Sequence, residues 1–354
     1  SSLHVGILTG GGDCPGLNAV IRGVTNSLIK TVGARVTGIE RGFMGMIERR
    51  SRPLDSEAVA GILNQGGTIL GTHNFANPFS CNGVDVSDKV MEYVRELGLD
   101  ALVAIGGDGT MSIANRFTPL GLPVVGVPKT IDNDLMHTER TFGFDSAVAI
   151  VAEALARLET TARSHGRVMV LETMGRYAGW IALEGGLAGG ADVILIPEKP
   201  YDLNEVIRVC KEREKKQGYT LICIAEGARP VDGGMVVAKH LENSPDPIRL
   251  GGVGNVLRQQ LEQHLESEVR TTQLGHVQRG GTPTPYDRVL ATRFGWYAAK
   301  MVANGEFGRM VVLKGDECAS VPIEDVANRT RNVPENHSLL DVATSLGVSL
   351  GLPA

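Results

Sequence analysis

Short runs of Val, Ile and Leu recur along the chain, separated by longer stretches in which apolar residues have helical spacing. The first run, 3–9, ends at three consecutive glycines, and a helix is predicted to begin near Pro15. Strands that are apolar on both faces and alternate with helices form parallel sheets covered on both sides. The fold class is therefore predicted to be α/β, doubly wound, with mainly parallel sheets. Further strands are predicted at 101–105, 123–127, 167–171, 192–196, 219–225 and 309–313, and helices at 147–161, 203–217 and 253–268.

The 354 residues are enough for two domains. Two glycine-bearing turns, at 10–16 and 174–179, each join a strand to a helix, which favours two similar lobes with an active-site cleft between them. A long surface loop is predicted at 229–254, where Gly and Pro are frequent. We expect one lobe to contain residues 1–140 plus about 275–308, and the other to contain 141–274 plus about 309–354.

Charge and cysteine content argue against several classes of protein. The net charge is −5, and the one basic stretch, 211–216, includes two glutamates, so no nucleic-acid partner is expected. The five cysteines form no CxxC pair, which favours reduced thiols in a cytoplasmic protein over disulfides or a zinc site. No apolar run approaches about 18 residues, and no leader pattern opens the chain, so no membrane partner is expected either.

Two glycine-rich turns at the ends of predicted strands have the composition of phosphate sites. Ligands of open parallel sheets bind outside the carboxyl ends of the strands. The turn at 9–16 (TGGGDCPG) could present backbone N–H groups and a helix N-terminus to an anion, although a plain tight turn is the alternative. The turn at 106–110 (GGDGT) adds Asp108, which could hold Mg²⁺ directly or through water. Turn geometry alone does not require this Asp, so the second turn predicts phosphate or nucleotide binding.

A third motif, PKTIDND at 128–134, places two carboxylates two residues apart after the predicted strand 123–127. One of them, Asp132 or Asp134, can accept a hydroxyl proton while the other faces a metal or positions its neighbour. The structural alternative is that Asp and Asn cap a turn here.

The fourth group of interest is cationic. Arginine beside a glycine turn suits the planar recognition of phosphate. Each of these residues alone could form a surface ion pair, but together with the anion-binding turns they indicate a phosphorylated substrate. The group consists of Arg167, Arg176, Arg270, His276 and Arg279.

The four motifs, in this order, resemble those of the phosphofructokinases, and the resemblance covers about residues 3–305. It implies transfer of a phosphoryl group to the 1-hydroxyl of fructose 6-phosphate in glycolysis, with ATP as co-substrate and Mg²⁺ as cofactor. It also implies a homo-oligomer, a dimer or a tetramer, with shared active sites. The first of the two lobes would bind ATP and Mg²⁺, and the second would bind the sugar phosphate.

Carried over position by position, the resemblance makes Asp132 the base toward the sugar hydroxyl, with Thr130 and Asp134 beside it. Arg176 would stabilise the transition state, and Asp108 would hold Mg²⁺. Donor contacts are expected at Gly12, Asn74, Gly107, Asp108, Gly109 and Thr110. Contacts to the sugar phosphate are expected at Thr130, Ile131, Asp132, Arg167, Met174, Gly175, Arg176, Glu226, Arg270, His276 and Arg279. In family tetramers, the arginines that match Arg167 and Arg270 come from a neighbouring subunit.

Two positions bear on the phosphoryl donor, and they disagree. Pyrophosphate users of the family typically carry Asp where this chain has Gly109, and a carboxylate there would repel the α-phosphate of ATP. Lys129, in contrast, is the residue that pyrophosphate users carry. We expect ATP, because a missing side chain at 109 admits ATP whatever Lys129 does. A pyrophosphate-dependent phosphotransferase is the alternative. A non-catalytic sensor is a remote one, because the chain keeps both Asp108 and Asp132.

Three positions depart from the bacterial ATP-using pattern. Asn74 stands where many of those enzymes have arginine, although Asn can still donate a hydrogen bond to the donor. Asn26 and Ser56 occupy positions that are basic in the bacterial effector site. Effector control of the usual bacterial kind is therefore not expected.

Overall fold

The computed structural model describes residues 2–240 and 248–353, in which helices cover two mainly parallel sheets. The strands are β1 (His4–Thr9), β2 (Arg35–Ile39), β3 (Ser51–Leu54), β4 (Ala101–Gly106), β5 (Val124–Pro128), β6 (Val168–Thr173), β7 (Val193–Leu195), β8 (Thr220–Ala225), β9 (Val237–His240), β10 (Ile248–Leu250), β11 (Val269–Gln273), β12 (Arg309–Lys314) and β13 (Glu317–Pro322). The helices are α1 (Leu17–Ser27), α2 (Phe43–Glu48), α3 (Ser87–Leu97), α4 (Asp108–Asn115), α5 (Phe144–His165), α6 (Trp180–Ala188), α7 (Leu203–Lys216), α8 (Val253–Glu262), α9 (Pro285–Ala303) and α10 (Ser338–Ser345).

The larger sheet has the order β13-β12-β5-β4-β1-β2-β3 and is parallel except at its two edge strands. Every residue of β1, β4 and β5 is buried, because helices cover both faces. Alternate residues of β4 enter different cores: Val103 and Ile105 pack with residues of α1 and α9, whereas Leu102 and Ala104 pack with residues of α3 and α4.

The smaller sheet has the order β11-β6-β8-β7 and is parallel throughout. Strands β6 and β8 are buried along their whole length. One face packs with α5 and α6, and the other packs with α7 and α8. The predicted α/β class, with two doubly wound lobes and mainly parallel sheets, is confirmed.

One expected lobe boundary is wrong. Strand β12 pairs in parallel with β5, and β13 pairs with β12, so residues 309–322 belong to the larger sheet and not to the second lobe. Helix α9 brings the chain back from the second lobe to the larger sheet, because its backbone packs closely on α1. A Cβ on Gly295 would lie 2.8 Å from the carbonyl oxygen of Val20. Near the end of the chain, Ser349 bridges to Val193 of the smaller sheet.

The stretch predicted as a loop at 229–254 is partly regular, since β9 and β10 pair in an antiparallel manner. Residues 241–247 of that stretch lie outside the described residues. The helix predicted at 253–268 ends at Glu262. Within the described ranges, no helix combines the length and apolar character that crossing a membrane requires.

Candidate active site

A cleft opens at the carboxyl ends of β1, β4 and β5, where the turn after β6 faces them from the other lobe. This is the edge at which parallel sheets bind ligands. It brings together most of the residues that the motifs predicted: Gly12, Asn74, Gly107, Asp108, Gly109, Thr110, Lys129, Thr130, Asp132, Asp134, Arg176 and Arg279 all line the cleft.

The two glycine turns pack against one side chain, that of Thr110. A Cβ on Gly10 would lie 2.5 Å from its Oγ1, and one on Gly106 would lie 2.4 Å from the same atom. Both positions therefore need glycine for the turns to approach each other. Helix α4 begins at Asp108, and no side chain caps its N-terminus. Its first N–H groups and the positive end of its dipole lie at the cleft, which favours an anion there.

Lys129 joins the PKTIDND loop to the first glycine turn. Its side chain is buried, and its Nζ donates a hydrogen bond to the carbonyl oxygen of Gly12. Burial above all lowers the pKa of Lys129 to about 8, and the nearby guanidinium of Arg279 acts in the same direction. Arg279 also borders this turn, because its Nη1 donates to the carbonyl oxygen of Asp13 over 3.4 Å.

In the PKTIDND loop, the carboxylates of Asp132 and Asp134 face the cleft, whereas the side-chain amide of Asn133 between them does not. Asn133 has φ +55°, and its Oδ1 accepts a hydrogen bond from the backbone N–H of Thr141 over 2.9 Å. Asp132 and Asp134 line the cleft instead. Oδ1 of Asp132 is buried and has no hydrogen-bond partner among the described residues. A buried acceptor in this state is costly unless a ligand donates to it.

Two carboxyl groups that feel the charge of Asp132 have a raised pKa. Burial and the charges of Asp132 and Asp108 raise the pKa of Asp134 to about 8, although Arg176 opposes the shift. Burial and the charge of Asp132 raise the pKa of Glu226 to about 7. Perturbed carboxyl groups in a cleft are typical of functional sites.

Arg176 reaches across the cleft between the lobes. It has φ +54°, and its backbone N–H donates to Oε1 of Glu226 over 2.8 Å. Its Nη1 lies 3.9 Å from Oδ1 of Asp108, on the first turn of α4. The pair is partly exposed, so its own contribution to stability is small. It does show that a cation from the second lobe reaches the side of the cleft that is formed by α4.

The residues present fit Mg²⁺ in the manner usual for phosphoryl transfer. Among residues 2–240 and 248–353, no group of three or more His, Cys, Asp or Glu is arranged to hold a metal. Mg²⁺ is commonly held by one or two carboxylates together with phosphate oxygens and water. Asp108 provides such a carboxylate at the cleft.

Several predicted residues border the cleft without lining it. Ile131, within the PKTIDND loop, is buried, and Gly175, with φ +135°, precedes Arg176. The backbone N–H of Met174 donates to Gln278, and Glu226 holds the backbone of Arg176. His276 is exposed in the short turn Gly275–Arg279.

Arg167 and Arg270 lie at the opposite end of the smaller sheet. Arg167 immediately precedes β6 and Arg270 is the second residue of β11, whereas the cleft lies beyond the other ends of the strands, about 20 Å away for a six-residue strand such as β6. Both are ion-paired with Glu268, at 3.0 and 3.1 Å. The structure therefore does not bring them into the cleft of their own chain.

Two residues near the site were missed by the sequence analysis. Arg249 of β10 lines the cleft, but it lies in the stretch that was predicted as a loop. Gln278 is completely buried beside Met174, although glutamine is seldom a core residue. Its position between His276 and Arg279, two predicted site residues, was the one feature of the sequence that could have indicated a role at the site.

Replacing Asp134 by Asn is expected to flatten the pH dependence of stability between about pH 5 and 8. Because the pKa is raised on folding, the folded protein holds this proton more tightly than the unfolded chain does. The stabilisation is complete below the unfolded pKa and is lost as the pH rises toward 8. The amide of Asn does not titrate. The free energy of unfolding of Asp134→Asn, relative to that of the parent, should therefore rise by at least about 1.4 kcal/mol between about pH 5 and pH 8. Denaturant unfolding of the ligand-free protein measures this, with exposed Asp232→Asn as the control; parallel curves for parent and Asp134→Asn would contradict it.

Comparison with known proteins gives one consistent result. The family model described as phosphofructokinase matches residues 4–302. An ATP-dependent 6-phosphofructokinase 2 of Clostridium perfringens is 50% identical over 356 residues, covering 98% of this chain and 97% of the relative. A pyrophosphate–fructose 6-phosphate 1-phosphotransferase of Streptomyces coelicolor is 49% identical over 332 residues, covering 94% and 96%. The phosphofructokinase structure from Saccharomyces cerevisiae matches with a TM-score of 0.79 and 30% identity over 92% of this chain, which spans 45% of the yeast chain. The chain therefore belongs to the phosphofructokinase family, as its motifs indicated.

Proposed function

We propose that this protein phosphorylates fructose 6-phosphate at its 1-hydroxyl, with ATP as donor and Mg²⁺ as cofactor, to give fructose 1,6-bisphosphate in glycolysis. The observation that carries the proposal is the buried, unpartnered Oδ1 of Asp132 in a cleft whose other wall is the uncapped N-terminus of α4. The carboxylate of Asp132 suits a hydroxyl that must lose a proton, and the N-terminus of α4 suits a polyphosphate. A non-catalytic sensor would need neither in this combination.

In this mechanism Asp132 accepts the proton of the 1-hydroxyl as the hydroxyl oxygen bonds to the γ-phosphorus of ATP. The bond from that phosphorus to the bridging oxygen breaks, and ADP leaves. Thr130 steadies the base, because its Oγ1 accepts a hydrogen bond from the backbone N–H of Asp132 over 3.1 Å. Asp134, with its raised pKa, lies beside the base as a largely protonated group at neutral pH. Arg176 neutralises charge on the phosphoryl group in transit.

The donor lies along the two glycine turns in this proposal, with contacts from Gly12, Asn74 and the first turn of α4, which contains Asp108, Gly109 and Thr110. When bound, Mg²⁺ supplies positive charge at the donor phosphates, and Asp108 is the residue that would hold it. The sugar phosphate lies on the other side, between the Met174–Arg176 turn, Glu226 and the turn with His276 and Arg279.

Of the two positions that bear on the donor, Gly109 favours ATP over pyrophosphate. Gly109 lines the cleft in the first turn of α4 and adds no charge there. Lys129 donates to the Gly12 carbonyl, so it has a role in joining the two loops that does not depend on the donor. The pyrophosphate-dependent reaction remains the second candidate, since Lys129 is a buried cation at the cleft and a relative of that name is 49% identical.

All five cysteines are free thiols, which suits a reducing compartment, and we place the protein in the cytoplasm. The position of Arg167 and Arg270, far from their own cleft, supports a homo-oligomer in which these arginines serve a neighbouring subunit's sugar-phosphate site.

The donor is tested by measuring fructose 1,6-bisphosphate formation with ATP, GTP and pyrophosphate in parallel. The parent should have a much higher kcat/KM for ATP than for pyrophosphate. Gly109→Asp should lower kcat/KM for ATP at least about tenfold, or roughly 1.4 kcal/mol, without an equal loss for pyrophosphate, because the new carboxylate repels the α-phosphate. Lys129→Gly should weaken both reactions and leave the preference for ATP. A parent that prefers pyrophosphate would overturn the assignment of ATP.

The base is tested with Asp132→Ser, which should lower kcat by about 10² to 10⁴ while the dissociation constant of fructose 6-phosphate changes far less. The matched control is Asp232→Ser at an exposed loop position outside the cleft. Turnover of Asp132→Ser within about threefold of the parent would remove Asp132 from this role.

Shared sites are tested by mixing two inactive variants, Asp132→Ser and Arg167→Ala. If Arg167 serves the neighbouring subunit, hybrid oligomers contain some sites with both groups intact, and part of the parent's activity should return. Subunit exchange is followed separately with differently tagged chains. Full exchange without any recovered activity would mean that each site is built within one chain.

A further inference from the structure

Gln278 is the buried residue of the turn Gly275–Arg279, and it is polar. Its exposed fraction is 0%, whereas its neighbour Val277 is 64% exposed. An apolar anchor would be the ordinary choice for such a turn, because a buried amide is costly unless its hydrogen bonds are made. A buried glutamine beside an exposed valine reverses the usual arrangement, which indicates that the amide has a specific role.

The amide of Gln278 connects two segments of the site. Its Oε1 accepts a hydrogen bond from the backbone N–H of Met174 over 3.2 Å, and its Nε2 donates to the carbonyl oxygen of Gly275 over 3.0 Å. The first bond reaches the turn that carries Arg176, and the second closes the turn that carries His276 and Arg279. Only a side chain with both an acceptor and a donor can make this pair of bonds.

The turn held by Gln278 has an unusual backbone. Gly175 and Arg176 both have positive φ, +135° and +54°, and the second value is uncommon for a residue with a side chain. Such a conformation persists when its surroundings fix it. Gln278 holds the N–H of Met174 at one end, and Glu226 holds the N–H of Arg176 at the other.

We propose that Gln278 is a positioning residue that sets Arg176 relative to His276 and Arg279. Arg176, which contacts the transferring phosphoryl group, and the other two residues, which contact the sugar phosphate, can then act on the same substrate molecule. This inference rests on the proposed function. The amide does not line the cleft, so it acts through the residues of the two turns.

Gln278→Met, which keeps the volume and loses both hydrogen bonds, tests the proposal. We expect kcat to fall at least about tenfold and KM for fructose 6-phosphate to rise at least about fivefold, while KM for ATP stays within about twofold. A merely structural role would reduce the active fraction and leave both KM values unchanged. The matched control is Gln259→Met on the exposed face of α8. The dissociation constant of fructose 6-phosphate, measured by calorimetry, provides a readout apart from turnover.

The outcomes separate the two hypotheses. A parent that does not phosphorylate fructose 6-phosphate refutes the proposed function, whereas an active parent with an unchanged, folded Gln278→Met variant refutes the role of Gln278. If Gln278→Met does not fold, Gln278→Asn replaces it, because the shorter amide retains polarity but is too short to reach the N–H of Met174. Failure of both variants to fold would make Gln278 a folding anchor and overturn its assignment as a positioning residue.

Discussion

The hydrogen bond from the Lys129 ammonium to the Gly12 carbonyl oxygen holds together the side of the cleft that is formed by the loops after β1, β4 and β5. Strands β5 and β1 are not neighbours in the sheet, since β4 lies between them, and the separation is about 10 Å. The lysine therefore crosses the end of β4, where the Gly106–Thr110 turn lies, and three separate loops become one surface. Its lowered pKa shows that burying the charge has a cost, which the nearby carboxylate of Asp132 partly offsets.

The carboxyl groups of the cleft are kept in different electrostatic states by their surroundings. Glu226 is buried and Asp134 is partly buried, and each feels the charge of Asp132, so their raised pKa values favour the protonated form. This limits the number of negative charges that a phosphorylated substrate and a polyphosphate donor would meet. Pairs of carboxyl groups with pKa values pushed apart are a common way of assigning acid, base and bystander roles within one site.

The sequence was most informative where burial is complete. Strands β1, β4, β5, β6 and β8 were predicted to within about two residues, because every position in them is buried and most are apolar. Strands β2, β3, β9, β10, β11 and β13 were not predicted as strands. Of these, β3, β11 and β13 are edges of the two large sheets and carry exposed polar residues, whereas β2 lies inside its sheet. The place of β12 depends on how α9 packs on α1, which local pattern does not specify. The motifs predicted most of the cleft residues, but the places of Arg249 and Gln278 depend on contacts between distant segments.

The roles of Lys129 and Gly109 in donor choice differ in kind, and the geometry explains why the glycine should dominate. Lys129 reaches past the end of β4 to the carbonyl oxygen of Gly12, so its ammonium group makes a hydrogen bond that does not require a phosphoryl donor. A positive charge at that place favours any phosphate and discriminates little between ATP and pyrophosphate. Position 109 lies in the first turn of α4, beside the N–H groups that attract the donor. A carboxylate there would oppose the α-phosphate of ATP directly, and such a repulsive element discriminates between ligands in a way that general attraction does not. Glycine at 109 removes that element, whatever residue occupies 129.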